Sequence, residues 1–262
     1  MKTFLYTFFI FLALFCTTSQ ANEPDRKLHI KCLYPTIQVF SESKKSFGSG
    51  VIVKSIKISP QEYHNVFITA AHVVDENFFY QVKVFEYEDW STLIKTHSYK
   101  CVFYATEYDR DLAVGMFVTD KAMPVANIDM NYKFYIGSDV FRIGCGLGDE
   151  PRLDLGKLTS LRSKLSTTNH WLLRTSIHTT PGDSGGPLFN SCYKVIGIAR
   201  SIRIWNGHVF FNISHYVPIT SLKEWSESEK GVYDFVWQNQ PLPSIPIWEL
   251  RFHRDYQSIR MP

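Results

Sequence analysis

Short runs of alternating apolar and polar residues, divided by turn residues, cover most of the chain between residues 35 and 230. Val51, Val53 and Ile56 alternate with polar neighbours, which is typical of strands that bury one face. Six such runs come first, at residues 36–40, 50–56, 66–70, 79–85, 99–105 and 112–118. Six strands are enough for one small antiparallel barrel.

A second set of six runs follows residues 119–132, where the strand pattern lapses around Pro124. These runs lie at residues 140–144, 156–161, 171–176, 187–190, 194–201 and 209–218. Gly, Pro, Asn and Asp divide them rather than helical segments, which favours sandwiches or barrels over βαβ units. We therefore predict an all-β fold of two six-stranded antiparallel β-barrels, residues 35–120 and 133–230. The only predicted helix covers residues 219–230, with Leu222 and Trp225 on one face.

The N-terminus has the pattern of an export signal. Lys2 precedes an apolar run from Phe4 to Cys16, and a small residue, Ala21, ends the segment that follows. Because this run is short for a membrane span, we predict a signal peptide over residues 1–21, cleaved after Ala21, and an exported protein in the periplasm or outside the cell. An uncleaved anchor is the alternative. The polar residues 22–34 are predicted to form a loose N-terminal segment.

Composition narrows the range of partners. The net charge is +3 and no basic stripe stands out, so we expect no nucleic acid partner, and no membrane insertion once the signal is cleaved. No metal-ligand spacing such as Cys-x-x-Cys appears, so neither a metal nor a cofactor is expected. Four cysteines beyond the signal allow one or two disulfides, with the pairing open: Cys32, Cys101, Cys145 and Cys192.

The densest cluster of small residues surrounds Ser184. Glycines 182, 185 and 186 allow positive φ angles and a close approach of substrate to the backbone, and they leave the N–H groups of Gly182 and Ser184 free to point at one spot. The pattern predicts a nucleophile with an oxyanion hole made by these two amides. By turn chemistry alone, the same run could be a β-hairpin turn.

Two other residues match this nucleophile, although each has an ordinary structural explanation on its own. His72 follows the predicted strand 66–70 and could be a satisfied buried histidine. Asp111 heads an apolar strand and could be a turn or capping residue, but a carboxylate buried there needs a donor. The conjunction of all three in the order His72, Asp111, Ser184 favours a catalytic site.

At this point the chain resembles the chymotrypsin-fold (trypsin-like) serine peptidases, and their compact bacterial branch in particular. The resemblance covers roughly residues 35–225 and rests on three blocks: Thr69-Ala70-Ala71-His72, Asp111-Leu112-Ala113-Val114 and Gly182-Asp183-Ser184-Gly185-Gly186-Pro187. It implies an active site in the cleft between the barrels, where His72 is the base, Asp111 orients it and Ser184 attacks a peptide carbonyl. We predict an exported serine endopeptidase that acts on proteins or peptides. The alternative is a catalytically silent module of this fold that binds proteins.

The chain departs from the family pattern at Asp183. Digestive members of the family pair this aspartate with a newly cut N-terminus, but no Ile-Val-Gly-Gly-like start is found here. Our hypothesis gives Asp183 the partner Arg142, so that the enzyme folds active without cleavage. In the alternative, Arg142 is a strand arginine whose head reaches solvent.

Specificity is the second departure. Five residues are predicted to line the substrate pocket: His178, Thr179, Arg200, Ser201 and Ile202. None of them is a carboxylate that would bind a basic side chain of the substrate. We therefore expect a small or apolar residue before the scissile bond. The tail, residues 231–262, is too short for a PDZ domain. It is predicted to pack its aromatic residues on the second barrel, with a partner- or substrate-binding extension as the alternative. No oligomeric state is predicted.

Overall fold

The computed structural model describes residues 25–41, 45–74, 80–88, 92–163, 170–205 and 207–228, together with Val232 and Val236. The predicted signal peptide lies outside the described residues, and so does nearly all of the predicted tail. Among the described residues, no helix has the length and apolar character needed to cross a membrane.

The first six strands close into an antiparallel barrel in the order β1-β2-β3-β6-β5-β4. Their bounds are Thr36–Ser41 (β1), Ser46–Ser59 (β2), Glu62–Thr69 (β3), Tyr80–Glu88 (β4), Thr92–Glu107 (β5) and Leu112–Thr119 (β6). Alternate apolar side chains of these strands fill the interior, among them Ile37, Val39, Ile52, Phe67, Val82 and Phe117. The inward positions follow the period of two on which the strand prediction rested.

The second barrel closes in the order β11-β8-β9-β10-β13-β12, through the pairing of β11 with β12. Its strands are Asp139–Gly144 (β8), Arg152–Ser163 (β9), Leu172–Thr175 (β10), Pro187–Asn190 (β11), Lys194–Trp205 (β12) and His208–Pro218 (β13). A short strand, β7 (Asn127–Ile128), adds in parallel to β12. The structure thus confirms the predicted all-β fold of two six-stranded antiparallel barrels.

A helix at Ile219–Ser228, here α2, follows the last strand, where a helix was predicted. It buries Leu222 and Trp225, the two residues that the pattern placed on one face. Both belong to a core shared by the two barrels, which also contains Ile68 from β3 and Ile143 from β8. This shared core packs one barrel against the other.

The prediction of a loose N-terminal segment is wrong for residues 26–33. A short helix, α1 (Arg26–Leu28), continues into a π-helical turn, His29–Leu33. Asp25 caps it, accepting hydrogen bonds from the backbone N–H groups of Lys27 and Leu28 at 2.9 and 3.2 Å. The polar composition hides a narrow apolar face, since Leu28 and Cys32 are one helical turn apart and both contact the shared core.

The expected disulfides are also absent, because the four cysteines of the described region are free. They lie in separate surroundings: Cys32 is in the shared core, Cys101 is inside the first barrel, and Cys192 is exposed on the turn before β12. Burial raises the pKa of the Cys32 thiol to about 12, and it also raises the pKa values of Cys101 and Cys145. These three thiols therefore stay protonated at neutral pH.

Candidate active site

His72 and Asp111 meet because β3 and β6 are paired. His72 lies in the 3₁₀ turn Ala71–Val73 directly after β3, and Asp111 directly precedes β6. In the register of these strands, Thr69 is opposite Ala113, so the turn that follows β3 lies beside the segment that precedes β6. Asp111 takes a left-handed backbone conformation, with φ of 63°, and is 3% exposed.

The Asp111 carboxylate contacts His72 at both its backbone N–H and its ring. It accepts a hydrogen bond from the backbone N–H of His72 at 2.9 Å, and it lies 2.9 and 3.0 Å from Nδ1. A carboxylate oxygen accepts hydrogen bonds, so in the neutral form of His72 the proton is on Nδ1 and Nε2 has a lone pair. The side chain of His72 is 47% exposed, so this lone pair is accessible to a substrate.

Ser184 lies on the loop between β10 and β11, with left-handed glycines on both sides. Gly182 and Gly185 have φ angles of 97° and 84°. At Gly185 a side chain is also excluded by space, since a Cβ would lie 2.1 Å from the Thr69 hydroxyl oxygen. The close approach to Thr69 brings this loop against the end of β3, next to the His72 turn.

Two peptide carbonyls fix the orientation of the amides around Ser184. The Pro181 carbonyl accepts a hydrogen bond from the N–H of Leu147 at 2.7 Å, and the Asp183 carbonyl, in the same peptide as the Ser184 N–H, accepts one from the N–H of Gly186 at 3.0 Å. In a trans peptide the N–H points away from the carbonyl, so the contact at Pro181 turns the Gly182 N–H the other way. Within the described region, neither this N–H nor that of Ser184 has an intramolecular acceptor.

The Ser184 hydroxyl is not hydrogen-bonded to His72 in this structure. It donates to the carbonyl oxygen of Arg200 on β12, at 3.4 Å. Ser184 is nevertheless beside the His72 turn, because a Cβ built on Gly48 would lie 3.0 Å from the Ser184 carbonyl oxygen and 2.6 Å from the methyl groups of Val73. The three predicted residues therefore lie in one region of the structure, with the serine hydroxyl directed to the Arg200 carbonyl.

Asp183, beside Ser184, is fully buried and belongs to a network of charges. Arg142 from β8, itself 0% exposed, donates hydrogen bonds to the carboxylates of Asp183 and Asp154 and to the carbonyl of His178. Asp183 also accepts from the backbone N–H and the hydroxyl of Thr180, at 2.7 and 3.0 Å. Since Arg142 is buried, the alternative in which its head reaches solvent does not hold.

The sequence did not predict the other members of this network, Asp154 and Arg152. Asp154 on β9 is directly opposite Arg142 in the sheet register, and Arg152 lies 3.0 Å from Asp154 and 3.5 Å from Asp183. Burial opposes the charge of Arg152, but the hydrogen bond to Asp154 and the nearby Asp183 outweigh it and raise the pKa of the guanidinium. Opposite charges at paired positions of neighbouring strands are a usable signal.

The residues predicted to line the substrate pocket lie in different surroundings. Thr179 is turned into the second barrel, where its hydroxyl lies 3.0 Å from that of Ser214. His178 is exposed, with its ring 5.7 Å from that of Phe211, while Arg200, Ser201 and Ile202 follow one another along β12.

Ser49 on β2 is a further residue that sequence reasoning missed, and it links the first barrel to the nucleophile loop. Its hydroxyl donates to Gly182 and accepts from the N–H of Cys145, and its own N–H donates to the Ser184 carbonyl. We expect Ser49→Ala to destabilise the fold by about 1–3 kcal/mol, because two buried backbone groups lose their partner.

Urea unfolding followed by fluorescence measures this loss of stability. Ser98→Ala, in the first barrel but away from this loop, is a suitable control. An unchanged unfolding midpoint in Ser49→Ala would show that the buried hydroxyl does not contribute to the fold.

Two closed barrels with a shared core define the class of chymotrypsin-fold proteins, and the comparisons with known proteins agree with this class. The chain belongs to the family of trypsin-like peptidase domains, whose model matches residues 48–198. This match contains His72, Asp111 and Ser184.

Among curated proteins, the chain is 30% identical over 176 residues to a probable periplasmic serine endoprotease, DegP-like, from Pseudomonas savastanoi pv. phaseolicola, and the match covers 67% of this chain and 33% of the relative. A protein of the same description from Hahella chejuensis is 33% identical over 110 residues, with 42% and 23% covered. The matched region is thus a third or less of these two relatives' length.

Among solved structures, the serine endoprotease from Yersinia pestis superposes with a TM-score of 0.60 at 19% identity, covering 81% of this chain and 68% of that one. At this identity the superposition supports the fold alone.

Proposed function

We propose that the chain is a serine endopeptidase, in which Ser184, His72 and Asp111 hydrolyse peptide bonds through an acyl-enzyme intermediate. The observation that carries this proposal is the double contact of the Asp111 carboxylate with His72, next to a serine flanked by left-handed glycines. A structural histidine would not need to be held at both its N–H and its Nδ1 with its other ring nitrogen accessible.

The reaction begins when the Ser184 hydroxyl turns from the Arg200 carbonyl towards His72. Nε2 of His72 takes the hydroxyl proton as the oxygen attacks the substrate carbonyl, and the Asp111 carboxylate stabilises the imidazolium. The N–H groups of Gly182 and Ser184 stabilise the oxyanion, each worth roughly 10²- to 10³-fold in rate. His72 returns the proton to the leaving amine, and water hydrolyses the acyl-enzyme through the same groups.

Arg142 has a role in this proposal that is separate from the chemistry. It supplies the positive charge for Asp183, so that the loop around Ser184 takes its shape without a new N-terminus. The enzyme would then be active as soon as it folds.

The setting and substrates are also part of the proposal. Residues 35–120 supply His72 and Asp111, and residues 133–230 supply Ser184. The predicted signal over residues 1–21 and the periplasmic relatives support export, and the substrates would be proteins or peptides.

Labelling with a fluorophosphonate probe tests the function, because the probe reacts only with an activated serine. We expect labelling of the parent protein, none in Ser184→Ala, and full labelling in Ser191→Ala, which changes an exposed serine on the turn after β11. No labelling of the folded parent would favour the alternative, a silent module that binds proteins.

A further inference from the structure

Arg200 contacts both sides of the candidate active site. Its backbone carbonyl accepts the hydrogen bond from the Ser184 hydroxyl at 3.4 Å, and its side-chain Nε lies 3.4 Å from Oδ2 of Asp111. Ser184 is on the second barrel and Asp111 on the first, so one residue of β12 connects the nucleophile with the carboxylate that orients His72.

The guanidinium of Arg200 is held in an unfavourable setting. Its side chain is 12% exposed, and its Nη1 is buried without a hydrogen-bond partner among the described residues. A buried donor without a partner costs about 1–3 kcal/mol. Buried polar groups normally have hydrogen-bond partners, and the exceptions are expected at functional sites.

Asp111 is the one carboxylate of the described region that lies within 4 Å of the Arg200 guanidinium. The neighbours of Asp111 in the chain are paired elsewhere: Arg110 lies 3.7 Å from Glu107, and Asp109 lies 3.0 Å from His170. In this part of the structure, the charged or titratable groups that contact Asp111 are therefore His72 from the turn after β3 and Arg200 from β12.

We propose that Arg200 is a positioning residue, which holds the Asp111 carboxylate in place and sets the acid limit of the peptidase reaction. This inference rests on the proposed function. A charge of opposite sign within about 4 Å offsets part of the field of a carboxylate, and burial leaves that effect poorly screened. Asp111 consequently stabilises the imidazolium form of His72 less. His72 therefore stays neutral, and can act as the base, down to a lower pH.

The test compares Arg200→Met, which keeps the apolar stem and removes the charge, with Arg200→Lys, which keeps the charge. For each variant, kcat/KM is measured against pH with a peptide substrate. We expect the acid limb of the profile to move to higher pH by about 0.5–1 unit in Arg200→Met. The lysine variant should stay near the parent. Arg162→Met removes an exposed cation of the same barrel and should leave the limb in place.

A purely structural role would lower kcat/KM at every pH without moving the limb, and that result, or a shift to lower pH, would overturn the proposal. If Arg200→Met does not fold, Arg200→Gln carries the same comparison. The pH at which the NMR signals of the His72 ring change gives a second readout. It needs no turnover, so it tests the inference even in a protein that the fluorophosphonate probe does not label.

Discussion

Ser184→Ala is expected to lower kcat for peptide hydrolysis by roughly 10⁵- to 10⁶-fold, because the acyl-enzyme can no longer form. Within the described residues, the Ser184 hydroxyl makes one hydrogen bond, to the Arg200 carbonyl at 3.4 Å. This contact is long, so removing the hydroxyl costs little stability. The thermal midpoint and KM should therefore change little. Initial rates with a fluorogenic peptide and a thermal melt measure both effects.

Ser191→Ala is the matched control for this variant. Ser191 is exposed on the turn between β11 and β12 and should keep the parent rate. A Ser184→Ala protein that retained its rate within tenfold would place the nucleophile elsewhere in the chain.

Arg142→Met is expected to destabilise the protein by about 3–5 kcal/mol, because it leaves the fully buried Asp183 without its principal cation. Arg152 contacts the same carboxylate at 3.5 Å from a side chain that is 36% exposed, and it replaces Arg142 only in part. We also expect lower activity, since Asp183 lies in the chain between the two amides of the proposed oxyanion hole. Urea unfolding measures the loss of stability.

The double variant Arg142→Met/Asp183→Asn separates the missing charge from lost packing. It should be more stable than Arg142→Met alone, because no buried carboxylate is left unpaired. The control, Arg162→Met, changes an exposed arginine and should stay within about 0.5 kcal/mol of the parent. If the double variant were less stable than the single one, packing rather than charge would explain the loss.

The strands were predictable because their signal is local. Twelve predicted runs overlap the twelve strands that build the two barrels, and the apolar positions of these runs supply core residues such as Val39 and Phe67. The predicted run was too short where polar side chains face inward and apolar ones face solvent. β9 begins at Arg152, four residues before the predicted run, because Arg152 and Asp154 face the buried charges while Leu153 and Leu155 are exposed.

The residues of the candidate site also divide into those with a local signal in the sequence and those without one. The glycines around Ser184 revealed a special turn, since left-handed backbone leaves a mark in composition, and family resemblance supplied the order of the three blocks. Nothing local identified Ser49, whose hydroxyl reaches a loop more than a hundred residues away. The same holds for the contact between Arg200 and Asp111 and for the serine hydroxyl resting on the Arg200 carbonyl.

Local pattern thus specified the strands, the helix α2 and the residue types of the candidate site, because each depends on neighbours along the chain. Barrel closure, strand register and the packing of one barrel on the other set which charges face each other, and these depend on residues far apart in sequence. His72, Asp111 and Ser184 could be named from the chain alone. The neighbours that hold them, Ser49, Arg142 with Asp154, and Arg200, acquire their contacts only when the two barrels are folded together.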